Sequence, residues 1–531
     1  MKDVIIIGAG GAGLSAGLSA KENSDKVLII SKTFPTHSQT VQAQGGINCV
    51  FDTKNDSIEN HINDTYNSSK HLSNKKSVET MCTNAKETII WLDNIGVPFS
   101  KDSQGNIKQR YFGGTKYKRT CYSADYTGLK ILHTLYDHCI KENIDFLYEH
   151  ILVDIIIENS CYKGVKILNL LSGEIINYYS KTLIIATGGY GNIYSSHTTN
   201  SISTTGDGLG VAFRNGLALS NLEFIQFHPT ALKGSNTLIS ESARAEGAYL
   251  VDENEERFVD ELATRDEVAR AIKTKVLDNH SVYLDMRHLD ITSLKEKMPQ
   301  ELKLINDLLN LNVEKDLIPI TPAAHYTMGG ILTNVSCETS VKNIYACGEV
   351  AQNNTHGANR LGGNSLLEII TFGKVAGINA AKKSKEIKDL KSTSEKSRDN
   401  FIDNILIKNE NKSIYFIKKE LGSLMFSYAG LFRTKSDLEI LLEKIEKLEI
   451  EYENTGISNK EKKYNKNLLD YIELGNIILL SKLTTISALN REESRGSHYR
   501  SDFKNTSKEY EKISIIKNIN KKIEHHFEGI L

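Results

Sequence analysis

Two kinds of apolar pattern alternate along the chain. Short unbroken runs, Val4–Ile7, Lys26–Ile30 and Thr182–Ile185, are rich in β-branched residues. They predict strands of a parallel sheet buried on both faces. Gly8-Ala9-Gly10-Gly11-Ala12-Gly13 follows the first run, and a helix-compatible stretch, Leu14–Lys21, leads to the second. Strand, G-x-G-x-x-G, helix and strand in this order form a dinucleotide fingerprint. Its glycines let the backbone approach a pyrophosphate at a helix N-terminus, where free N–H groups favour an anion. Thr182–Gly189, Thr204–Gly208 and Asn343–Glu349 read as further parts of the same unit.

The texture changes twice. An insertion at about 223–322 interrupts the nucleotide-binding pieces, which predicts a discontinuous unit of 1–222 and 323–385. From 386 to 531 the pattern turns helical. Leu438, Leu441, Leu442, Ile445 and Leu448 fall at helical spacing, and Asn467–Asn490 contains another such segment. Ser392–Asp399 reads as a polar linker. The Lys-rich last thirty residues read as a surface helix or tail with a solvated charged face.

Composition narrows the classes. The 531 residues are 40% hydrophobic and 25% charged, enough for a large core and for several domains. Sixty-five basic side chains against 66 acidic ones leave a net charge of -1, which disfavours a nucleic-acid surface. No uninterrupted apolar run approaches the ~18–20 residues of a membrane span. The chain enters a strand directly after Met1-Lys2-Asp3, without a signal peptide, and a cytoplasmic location is expected. Seven scattered cysteines without a C-x-x-C argue against a disulfide framework, a zinc ribbon or an iron–sulfur cluster in this chain. His525-His526 and His133/His138 lack a second ligand pair, so no metal is expected.

Two local features qualify the fingerprint. The acidic ribose ligand expected at the end of the second strand is replaced by Ser31-Lys32, which weakens an NAD reading and leaves Lys32 to reach phosphate or adenine-side groups. Gly13-Leu14-Ser15-Ala16-Gly17 matches a nucleophile elbow but lies inside the helix rather than on a strand-to-helix turn.

Longer words identify a family. Ala43–Ile47, Gln226-Phe227-His228-Pro229-Thr230, His325–Gly330, His356–Leu366 and Arg491–His498 resemble the flavoprotein subunits of succinate dehydrogenase and fumarate reductase, in order from residue 4 to about 503. L-Aspartate oxidase shares most of these words. Phe112–Thr120 and Arg360–Asn364 look like the dicarboxylate branch, whereas the compact segment between Glu246 and Arg265 also suits aspartate oxidases. The resemblance implies an α/β fold: a Rossmann-like FAD-binding domain, an inserted α+β capping domain at 223–322, and a C-terminal helical domain with a tail.

It also implies an activity, the FAD-dependent interconversion of fumarate and succinate, with a hydride passing through flavin N5 and a proton through Arg265. The alternative is oxidation of L-aspartate to iminoaspartate. Arg265 resembles the family's proton donor, and Glu241 with Arg244 its relay to solvent. Read alone, that i,i+3 pair is a surface ion pair. Asp266 could orient Arg265 or cap a helix. His228, Ser240, His325 and Arg360 match the groups that hold the substrate carboxylates, a task that suits a planar guanidinium. Besides Gly8, Gly10, Gly11, Ala12 and Gly13, the FAD contacts carry over to Lys32, Ser38, Gln39, Thr40, Ala43, Gln44, Gly45, Gly46, Ala186, Thr187, Gly188, Asp207, Glu349, Ser365 and Leu366. Glu349 would be the ribose acid that Ser31 is not.

One departure bears on the cofactor. Many family members attach FAD through a histidine in Arg-Ser-His-Thr. Here the run is Thr36-His37-Ser38-Gln39-Thr40, and Gln39 occupies the attachment position. Its amide cannot form the bond, so the FAD is expected to be non-covalent. In the family the histidyl link raises the flavin potential. An untethered flavin is therefore expected to favour fumarate reduction. An iron–sulfur subunit, with a membrane anchor beyond it, is the family's electron partner. It would bring the chain to the inner face of the cytoplasmic membrane.

Overall fold

The computed structural model describes residues 2–388 and 394–530. Its centre is an eight-stranded sheet. Strand β1 (Lys2–Ile7), helix α1 (Gly11–Lys21) and strand β2 (Val27–Ser31) form the predicted fingerprint unit. β1 lies parallel to β2, with Val4 opposite Val27, and to the end of a long strand Glu174–Ile185, with Ile5 opposite Leu183. Asp145–Tyr148 extends the parallel part beyond β2, and Ile344–Ala346 extends it beyond Glu174–Ile185. All these strands end on the side that carries the glycine loop, the edge where doubly wound sheets bind ligands.

Two glycines set that loop. Gly8 has φ +108°, and a Cβ on Gly13 would lie 1.9 Å from the Gly8 oxygen, so α1 packs on β1 only with glycine there. Ser15, the serine of the elbow-like sequence, is fully buried and donates to the Gly11 carbonyl at 2.7 Å. It is a helix residue, not a nucleophile.

Between Ile225 and Thr327 the chain builds a separate four-stranded antiparallel sheet, ordered Ile225–Leu232, Ile318–Thr327, Val282–Asp285, Tyr249–Asp252. The helices Arg265–Leu277 and Pro299–Leu309 pack on it through a core of its own that includes Val268, Ile272, Leu284 and Ile305. After 400 come the helices Ile414–Tyr428, Lys435–Glu453 and Lys466–Asn490. Leu438, Leu441, Ile445 and Leu448 are buried as their spacing predicted. Lys466–Asn490 is long and apolar enough for a membrane by length and composition alone, but 72% of its most apolar stretch is buried in the protein, which makes it a core helix.

Two expectations fail. The last residues are not a helix: Ile513–Ile519 and Lys522–Glu528 form a hairpin whose first strand pairs with Leu219–Ser220. The β-branched run Ile513-Ser514-Ile515-Ile516 is buried, and Asn520 and Lys521 close a two-residue turn with φ of 51° and 66°, the geometry that matches strand twist. The linker Ser392–Asp399 begins outside the described residues, but its Ser394–Lys396 is an edge strand on Glu174–Ile185, opposite Tyr178, Asn177 and Ile176.

Candidate active site

One elongated cavity runs from the glycine loop to the junction with the four-stranded sheet. Of the residues assigned from the sequence to catalysis, substrate or FAD, all but two line it: Gly13 is packed against Gly8, and Arg244 is buried behind Glu241.

At the inner end, Gln226 and His228 lie on the strand Ile225–Leu232, whose pairing with Ile318–Thr327 shifts register between Gln226 and Phe227 and again after His228. Arg265 opens the helix Arg265–Leu277, and Arg360 stands in the loop before the helix Asn364–Ser384. The Oε1 atom of Gln226 accepts from Nη1 of Arg265 and from Nη2 of Arg360, each at 3.1 Å. Nε of Arg265 donates to Oε2 of Glu241 at 2.7 Å, and Nη2 reaches the same oxygen at 2.7 Å. Arg360 stacks over Tyr326, with its carbon 4.4 Å from the ring centre, and its Nε is buried without a partner. That leaves a guanidinium held in place with donors to spare. The Phe112-Gly113-Gly114 turn fits around Glu241: a Cβ on Gly113 would lie 1.8 Å from its Oε1.

Arg244 is buried, with Nε and Nη2 unpartnered, and its Nη1 donates to the Glu261 carbonyl. It does not bond Glu241, so the pair is not the surface ion pair that i,i+3 spacing alone suggested. Burial alone would raise the Glu241 carboxyl, but the guanidiniums of Arg265 and Arg244 outweigh it and hold it below the usual range. Three guanidiniums thus face one carboxylate.

His228 and His325 come from neighbouring strands, with ring centres 5.0 Å apart. Burial, then the charge of Arg265, pushes both well below the usual histidine value, so they are neutral. Thr199 and the ring nitrogen Nδ1 of His325 share a 2.7 Å hydrogen bond, and Thr230 approaches Nδ1 of His228 at 3.3 Å. Ser240 lines the cavity, but its oxygen caps the helix Glu241–Ala245 by accepting the Ser242 amide at 3.0 Å. Asp266 does not touch Arg265 and is not the cap, which is Thr264. It accepts from Asn359, beside Arg360, and from Arg270, each at 3.0 Å.

The outer part of the cavity suits a dinucleotide. α1 starts at Gly10 with no side-chain cap and no acid in its first turn. Ser38 Oγ, Gln44 Oε1 and Thr187 Oγ1 are buried without partners, and nothing lies within 4 Å of a Cβ placed on Gly188. These polar atoms and this space fit FAD. Lys32 does not stand free for a phosphate as expected. Its ammonium is bonded to Asp207 at 2.6 Å and to Glu473 at 2.7 Å, and these charges raise its pKa despite burial. Glu349 lies after the strand Ile344–Ala346, with Glu174–Ile185 and β1 between it and β2. That separation is about 14 Å at ~4.8 Å per strand. Glu349 therefore does not stand in for Ser31, and it faces the Arg360 end of the cavity.

Gln226 was not singled out from the sequence as a site residue, although it opens the Gln-Phe-His-Pro-Thr word. Its position two residues from His228, hence on the same strand face, was the available signal. Tyr326, which lines the cavity, carried the same kind of signal within the His325–Gly330 word, whereas His150 and Leu152, which line it too, carried none.

Fold and cavity define an FAD-binding oxidoreductase. Residues 3–366 match the FAD binding domain family, and 418–528 match the C-terminal family of fumarate reductase flavoproteins. The succinate dehydrogenase flavoprotein subunit of Rickettsia bellii is 37% identical over 94% of this chain and 90% of its own length. The 8-methylmenaquinol:fumarate reductase flavoprotein subunit of Wolinella succinogenes is 37% identical, over 94% of this chain and 86% of its own. A solved structure of E. coli quinol fumarate reductase superposes with a TM-score of 0.95 at 30% identity, covering 100% of this chain and 96% of that one. The chain belongs to the succinate dehydrogenase/fumarate reductase flavoprotein family, and L-aspartate oxidase is not favoured.

Proposed function

We propose that the chain interconverts fumarate and succinate at the inner end of the cavity. The observation that carries this is the Arg265–Gln226–Arg360 arrangement with Glu241 on Arg265. Arg244, Arg265 and Arg360 supply three positive charges and Glu241 one negative, so the buried site is short of two negative charges, the number on a dicarboxylate. Arg360, His228 and His325 hold the carboxylates, and Ser240 adds a hydroxyl at the wall. The two neutral imidazoles donate hydrogen bonds without adding charge.

FAD, when bound, gives or accepts a hydride at N5 of its ring. The chain itself manages the proton. The guanidinium of Arg265 gives a proton to the substrate carbon that gains charge, and its remaining polarity stabilises that charge as it develops. A free guanidinium holds its proton above pH ~12, so the donor must be recharged at once. Glu241, at 2.7 Å, is positioned to do so, with Arg244 beyond it. In succinate oxidation each step reverses. In the division proposed here, a FAD-binding unit (1–222 and 323–385), a capping unit (223–322) and a helical unit (386–531), this machinery falls at a junction between two units.

The FAD is held without a covalent bond. Gln39 cannot form one, and its Oε1 is engaged by the Ser201 amide at 2.6 Å. His37 is exposed and does not line the cavity. The relatives are flavoprotein subunits, and an iron–sulfur subunit with a membrane anchor beyond it is the electron partner proposed here, holding the chain at the cytoplasmic face of the membrane. The test is turnover by purified, FAD-loaded protein: fumarate with a reduced viologen dye, beside succinate and L-aspartate with an oxidant. Turnover of both C4 dicarboxylates supports the reading. Oxaloacetate from L-aspartate, with silence toward fumarate and succinate, overturns it.

A further inference from the structure

Two carboxyls with no part in that chemistry stand together at the cavity wall. Glu349 faces the cavity, and its Oε1 accepts from the Thr327 amide at 2.9 Å and hydroxyl at 3.0 Å. Glu368, in the helix Asn364–Ser384, stands behind the wall. It is 2% exposed and its Oε2 is buried without a partner; the nearby Gly348 amide and Asn353 side chain favour its ionised form, but less than burial opposes it. Arg360 acts on both acids, but its guanidinium bonds Gln226 and the Leu361 carbonyl and neither acid. The other titratable groups around them are uncharged at neutral pH. Burial pushes Tyr326 and Tyr190 up, raises Cys337 and Cys347, and lowers His356 to about 3.

Two ionised carboxylates in such a place would repel each other in a poorly solvated medium, so near neutral pH the pair keeps at least one proton and gives up its last only in alkali. We propose that Glu349 and Glu368 form a proton store that offsets the negative charge gained when FAD in this cavity is reduced, with Glu368 as the positioning residue that acts through Glu349. The inference rests on the FAD reading above. Succinate, losing two electrons and two protons, is oxidised to fumarate. Two electrons and one proton go to the flavin ring, which is reduced and gains one negative charge. The other substrate proton leaves through Arg265. The Glu349–Glu368 pair takes one further proton from solvent, so the net charge of the region is unchanged. Burial holds Glu349 at about 7, and burial followed by the charge of Glu349 holds Glu368 at about 8. Added negative charge raises both, so proton uptake on reduction falls on the alkaline side of about pH 8.

The test is a dye-mediated potentiometric titration of the FAD-loaded full chain across that range. A two-electron, one-proton couple changes tenfold in equilibrium constant per pH unit, or ~30 mV. With the extra proton the change is a hundredfold, about 60 mV. The wild type is expected to show the steeper slope and Glu368→Gln the shallower one. In the reduced-minus-oxidised infrared difference spectrum the wild type should gain a protonated-carboxyl band that shifts in D2O. This measurement decides the matter even if the variant fails to fold. A wild-type slope of ~30 mV throughout, equal slopes in both proteins, or no carboxyl band overturns the proposal. A wild type that binds no flavin, visible as no bound absorbance before any titration, overturns the reading beneath it as well.

Discussion

Arg265 and Arg360 donate to one acceptor, the Oε1 atom of Gln226, at equal distances of 3.1 Å. Two guanidiniums this close would repel without a neutral oxygen between them. The amide's other end is fixed by Asn359 Oδ1 at 2.8 Å and the Arg360 carbonyl at 2.9 Å, so it cannot rotate away. Gln226→Leu should leave both arginines unsatisfied on that side. The expected cost is about 1–3 kcal/mol of transition-state positioning, or ~5–150-fold in kcat/KM, at unchanged FAD content. Steady-state kinetics within about twofold of wild type would remove Gln226 from this role.

Arg265→Lys keeps a charge but loses the fork that grips Glu241 and Gln226 together. Turnover is expected to fall by at least the ~10²–10⁴-fold assigned to a positioned acid, with FAD still bound. Near-normal kcat in the lysine or alanine variant would take the proton from Arg265. Arg360→Ala should act chiefly on substrate binding, raising KM, and on alignment.

Gln39 predicts how the cofactor leaves. Acid precipitation should put the yellow colour in the supernatant, and flavin on a His37 peptide by mass would contradict this. Without the tether, dye-coupled fumarate reduction should outpace succinate oxidation, since each ~30 mV lost from the flavin potential shifts the equilibrium tenfold. A faster succinate reaction would show that other contacts restore the potential.

Stability should fall on the acid side partly through His61. Burial, then the charge of Arg119, holds it at about 4, although Asn364 hydrogen-bonds its Nε2 at 2.9 Å. Above the unfolded value of ~6.5 neither state is charged there, and the group has no effect. Below it the unfolded chain binds a proton that the native state refuses, so stability is lost as pH falls toward about 4. The slope is ~1.4 kcal/mol per pH unit. Between pH 7 and 5 the wild type should therefore lose about 2 kcal/mol more than His61→Gln in urea unfolding. Parallel stability curves would contradict this.

What the sequence made legible was contiguous. The first two β-branched runs and the glycine loop between them lie within the first 31 residues and form the unit they predicted. The His, Arg and Glu of the inner site sit in long words and meet around one cavity. What stayed hidden depends on distant partners. Nothing near Lys32 tells that Glu473, 441 residues on, closes over its ammonium. The order of strands, not the sequence, separates Glu349 from Ser31. The final hairpin was masked by its lysines, of which Lys521 and Lys522 are exposed and Lys517 half-buried, while the isoleucines that decide its structure are few and buried.

The central claim, that this site passes a hydride and an Arg265 proton to fumarate, is tested most directly by a single turnover. FAD-loaded protein is reduced chemically, freed of reductant and mixed with fumarate while flavin absorbance and succinate are followed. The account predicts reoxidation with one succinate formed per flavin in the wild type, and neither event in Arg265→Ala. Flavin that stays reduced in the wild type, or reoxidises equally in Arg265→Ala, would contradict it.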